Sequence, residues 1–90
     1  MRIEVRQQGG FAGLRPPPLV LDTNDLERAR AQELERLAST LPPGNEPGHG
    51  ADLMRYDVTI DDRTTTYHEP GVPDAARRLL RLVREADRDA

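Results

Sequence analysis

The chain has no cysteine and no tryptophan, and its 90 residues include one phenylalanine and two tyrosines. Without cysteine there is no disulfide framework and no thiolate chemistry, so a stapled, secreted miniprotein is excluded and a reducing compartment is compatible. No apolar run approaches the length of a membrane span. The opening Met1-Arg2-Ile3-Glu4-Val5-Arg6 alternates apolar and charged residues and has no apolar h-region, so it does not read as a signal peptide. Few aromatics mean that Leu and Val must supply most of the core, about twenty large apolar side chains in a domain that buries roughly 60–65% of its unfolded surface. The length fits one domain, residues 1–90, and leaves little room for a deep enzymatic cleft.

Charge narrows the partners. Sixteen acidic and thirteen basic residues give a net charge of −3. Only the last helix gathers basic residues together, so nucleic acid is a poor fit. Every basic residue is arginine, a group that keeps its charge when partly desolvated and makes forked hydrogen bonds, although a GC-rich coding bias is the plainer explanation.

Period-2 alternation over Met1 to Gln7, with Met1, Ile3 and Val5 on one face, predicts a half-buried strand. Three prolines, Pro16 to Pro18, remove three amide donors, so Leu19 to Leu21 is expected as the ordered end of an edge strand. Asp22-Thr23-Asn24 supplies capping side chains for a helix from about Asn24 to Ser39, with Leu26, Ala29, Leu34 and Leu37 as its apolar stripe. The Pro/Gly-rich stretch Pro42 to Gly50 reads as a mobile loop. Alternation returns over Leu53 to Ile60, with Met54, Tyr56, Val58 and Ile60 on one face. Asp61-Asp62-Arg63 forms a turn, and Thr64 to Glu69 is the returning strand. After Pro73 and Asp74, a last helix places Ala75, Leu79, Leu82, Val83 and Ala86 on one face. The order β-β-α-β-β-α predicts an α+β two-layer sandwich: a four-stranded antiparallel sheet with both helices on its single apolar face.

The parts of a catalytic site are missing. Ser39 is the one serine and no histidine is expected near it, so no catalytic residue is assigned. His49 and His68 lie outside any HxxxH or HExxH pattern, so neither a metal site nor a cofactor is expected, and His49 with Asp52 would make at most a fortuitous ligand pair. His68 is expected on the solvent side or near the sheet edge. Gly9, Gly10 and Gly13 do not make a phosphate-binding loop, because the spacing is not GxGxxG and a proline-rich segment follows instead of a helix. Asp57, Asp61 and Asp62 read as a solvated acidic cluster around a hairpin turn.

Phe11 stands apart, the lone phenylalanine in a loop between glycines. Two roles are open to it: folding back to cap the core at the sheet edge, or serving as an aromatic anchor in a partner's pocket.

The N-terminal alternation, the block Gly9-Gly10-Phe11-Ala12-Gly13-Leu14, a Pro-containing strand, a Leu/Glu/Arg helix, the Tyr56 strand and the closing Leu-rich helix resemble the emfourin family. The resemblance spans nearly the whole chain. It implies a cytoplasmic inhibitor of thermolysin-like, protealysin-type zinc metalloproteases, a monomer before binding, that blocks the active-site cleft. On that basis Gly9, Gly10, Phe11, Ala12, Gly13 and Leu14 are the candidate partner-binding residues, with Phe11 filling the hydrophobic primed-side pocket of such an enzyme. A direct ligand from His49 or a carboxylate to the protease zinc is a second mechanism for the same function. A non-inhibitory interaction module using the same loop is the alternative function.

Overall fold

A computed structural model describes residues 1–9, 16–48 and 53–89. The elements are β1 (Arg2–Gln8), β2 (Leu19–Asp22), a 3-10 turn (Thr23–Asp25), α1 (Arg28–Ser39), β3 (Arg55–Ile60), β4 (Arg63–His68) and α2 (Asp74–Arg88). The strands form one sheet in the order β2-β1-β3-β4, with every neighbouring pair antiparallel. This is the expected α+β arrangement, and strand boundaries move by only one or two residues from those read in the sequence.

Register explains the layering. Ile3 lies opposite Leu21 and Ile60, and Val5 opposite Leu19 and Val58, while Tyr56 lies between Gln7 and Tyr67. Side chains alternate faces along each strand, so these residues share one face. They form the core with Leu34 and Leu37 of α1 and Ala76, Leu79, Leu80 and Val83 of α2. The opposite face stays polar: Arg2, Glu4 and Arg6 form a salt-bridged row, and the Thr59 and Thr64 hydroxyls meet at 2.8 Å.

Both helices depart locally from expectation. α1 begins at Arg28, because the capping residues serve a different turn: the Asn24 amide donates to Asp22 Oδ1 (2.9 Å) and Thr23 to Asp25 coil as 3-10. Leu26 still packs against the core from ahead of the helix, but Ala29 is exposed. In α2 the buried stripe is Ala76, Leu79, Leu80, Val83 and Ala86. It is rotated from the expected one toward Ala76 and Leu80, which leaves Ala75 and Leu82 half-buried.

Of the Pro/Gly-rich stretch, residues 42–48 have no regular secondary structure and are tied along the outer edge of β4, while His49 and Gly50 lie outside the described residues. Asn45 accepts from the His68 amide through Oδ1 (2.6 Å) and donates to the His68 carbonyl through Nδ2 (2.7 Å), as a neighbouring strand would. Gly44 lies so close to the Thr66 carbonyl that a Cβ would collide with it. Tyr67 donates its hydroxyl to the Pro42 carbonyl, and burial pushes that phenol up to about 12. At the other edge β2 is only four residues long and follows the exposed Pro16 to Pro18, which have no amides to offer.

Candidate functional site

The site begins where β1 ends. Gly9 has φ +87°, the left-handed region in which a β-carbon is strained, and an ideal Cβ there would lie 2.6 Å from the Leu53 carbonyl oxygen. β1 therefore ends against Leu53, two residues before β3, at a point only glycine fits. Of the six expected contact residues, Gly9 is described; Gly10, Phe11, Ala12, Gly13 and Leu14 lie outside the described residues, as do His49 and Asp52.

The two residues before Gly9 are held from opposite faces of the sheet. On the core face, Gln7 Oε1 accepts from Arg84 Nη2 of α2 at 3.4 Å, and the Arg84 guanidinium lies 5.9 Å from the Tyr56 ring centroid. Tyr56 donates to Glu69 Oε2 (3.5 Å), and Arg77 grips the same carboxylate at 2.6 and 3.2 Å while also donating to the Pro70 carbonyl at 2.9 Å. The Glu69 hydrogen bond raises the Arg77 pKa above its ordinary value. On the open face, Gln8 Nε2 donates to Asp57 Oδ2 (3.3 Å). Asp57 also accepts from Thr66 Oγ1 (2.7 Å) and Arg55 Nη2 (3.1 Å). Partial burial pushes Asp57 up, but the Arg55 and Thr66 hydrogen bonds and the Arg55 charge outweigh it and hold the carboxyl below the usual range.

Asp57 thus sits in mid-strand within a bonded network, and it does not belong to the turn cluster with Asp61 and Asp62. Asp61 instead ties the hairpin to β1, since its amide donates to the Arg2 carbonyl (2.8 Å) and its Oδ1 accepts from the Arg2 amide (2.9 Å). Ser39 Oγ donates to the Glu35 carbonyl (2.7 Å) in its own helix. His68 lies on the β4 edge with its backbone fixed by Asn45. Among the described residues no group of three or more His, Cys, Asp or Glu side chains could hold a metal ion, and no helix is long and apolar enough to cross a membrane.

Sequence reasoning missed Asn45 and Arg84. Asn45 bonds to a residue 23 positions away, and Arg84 to one 77 positions away, separations that leave no local pattern.

The four-stranded sheet, its two helices and the braced, glycine-ended first strand define a small α+β domain. A family model described as Emfourin matches residues 5–84, and the chain belongs to that family. Membership supports a role as a protease inhibitor and not as an enzyme. No curated protein and no solved structure matches the chain.

Proposed function

We propose that the protein inhibits thermolysin-like, protealysin-type zinc metalloproteases by inserting the Gly9 to Leu14 loop into the active-site cleft, with Phe11 in the hydrophobic primed-side pocket. The observation that carries this reading is the brace at the loop's origin: Gln7 held by Arg84, Gln8 held by Asp57, and Gly9 turned against Leu53. A loop that leaves a fixed platform loses less entropy on binding and resists being drawn into the geometry for cleavage. Emfourin membership supports the inhibitory class, and the choice of protease and loop is our reading. Such an inhibitor acts in the cytoplasm as a monomer until it meets the enzyme.

Inhibition constants against a panel of thermolysin-like proteases test this. The parent protein should form a stable one-to-one complex, and Phe11→Ala should weaken it by at least ~2 kcal/mol, about thirtyfold, as for loss of a hot-spot aromatic. A change within about threefold would remove Phe11 as the anchor. Rapid cleavage at Gly10-Phe11 without inhibition would make the loop a non-inhibitory interaction element.

A further inference from the structure

The arginines of α2 divide into two groups. On the flank toward α1, charges are matched: Arg78 meets Glu33 at 3.0 Å, and Asp89, just beyond the helix, meets Arg30 at 2.9 Å. The Arg36 and Arg78 hydrogen bonds, Arg36 first, hold Glu33 below its ordinary pKa. On the other flank Arg77, Arg81, Arg84 and Arg88 recur at i, i+4, i+7 and i+11, within an arc of about 60° and along about 16 Å of helix. Arg77 is committed to Glu69 and Arg84 leans on Tyr56 and Gln7. Among the described residues Arg81 and Arg88 have no carboxylate within salt-bridge distance, and both are exposed. Arg81, Arg84, Asp87 and Arg88 line a groove of about 340 Å³ with Leu19 of β2 as its apolar floor.

We infer that this ridge is the second contact surface for the protease and that it takes a carboxylate-bearing surface beside the enzyme's active-site cleft. The inference rests on the inhibitory reading above. Its first ground is continuity: Arg84 touches Gln7, two residues before Gly9, so ridge and loop base form one surface. Its second is area, since a standard interface buries about 800 Å² per partner and a six-residue loop cannot supply it. The third is charge, because three arginines facing one nearby aspartate make a local cationic site on a chain whose net charge is −3. Guanidinium groups are weakly hydrated and pair with carboxylates through two parallel hydrogen bonds, while Leu19 supplies the apolar floor beneath them.

The test is the association and dissociation kinetics of the full chain with a thermolysin-like protease, at about 0.05 M and about 0.5 M NaCl. The variants are Arg81→Glu/Arg88→Glu and the neutral Arg81→Gln/Arg88→Gln. Both leave the loop residues and Arg84 unsubstituted, and circular dichroism checks that both fold. Steering by complementary charge predicts that the reversal slows association roughly tenfold at low salt, that the neutral pair falls between it and the parent, and that the parent's advantage disappears at high salt. Phe11→Ala, by contrast, should act mainly on dissociation. If the parent inhibits and both ridge variants associate at its rate with its salt dependence, the ridge assignment is overturned and the loop reading stands. If the parent binds no protease of the panel, the inhibitory reading falls and the ridge assignment falls with it.

Discussion

The two ends of the sheet are built for different purposes. At one end the chain is shut: the Asp61–Asp62 turn is fastened to the Arg2 backbone, Thr23 donates its amide to the Met1 carbonyl at 2.9 Å, and the buried Thr23 hydroxyl donates to Glu35 Oε2 at 2.6 Å. At the other end β1 ends at Gly9 against Leu53, and side-chain braces from α2 and Asp57 add to the ladder with β3 in holding the last strand residues. Bonds at the shut end stabilise the domain, while those at the open end, on the proposed reading, hold the base of the binding loop. Stability and binding should therefore separate when each end is damaged.

Gly9→Ala breaks the open end most severely. It places a β-carbon at positive φ, at about 1–2 kcal/mol, and drives it against a backbone carbonyl that cannot easily yield. Thermal unfolding should show a Tm lower by roughly 10 °C, with inhibition weakened further because the loop's exit direction changes. Retained stability and inhibition would mean that Gly9 does not set that direction.

Thr23→Val is the matching change at the shut end. It keeps the shape but leaves the Glu35 carboxylate without its donor, which should cost about 1–3 kcal/mol in denaturant unfolding. Protease inhibition by the folded protein should be unchanged; a parallel loss of inhibition would erase the distinction between the ends.

The smallest effect concerns the covered edge. Tyr67 has its phenol pushed up to about 12, above an ordinary tyrosine near 10. Its stabilising contribution is complete below about pH 10 and declines as pH rises through the folded value. Unfolding free energies measured in that alkaline window should fall for the parent and fall less for Tyr67→Phe. Phenolate absorbance should show one tyrosine ionising late in the parent.

The alternation around Ile3 and Val5, and around Tyr56 and Val58, made the core face legible in the chain itself, because a period of two survives whatever partners a strand finds. The start of α1 was not, since Asp22, Thr23 and Asn24 suit a 3-10 turn as well as an α-helix N-terminus. Asp57 looked like a turn residue by its nearness to Asp61 in the chain, and only the register showed it between Arg6 and Thr66, within reach of the Gln8 side chain. The loop base was visible as glycines, but its braces come from α2 and β3, whose approach no local pattern encodes.

The side chain of Asn45 and the three prolines before β2 leave little bare strand for another molecule to extend. An inhibitor of the proposed one-to-one kind would have to be stockpiled at the level of the enzyme it restrains, and crowded sheet proteins are prone to zip together along their rims. Both rims are already occupied or blunted, so this small domain is suited to being kept in abundance without condensing into fibres.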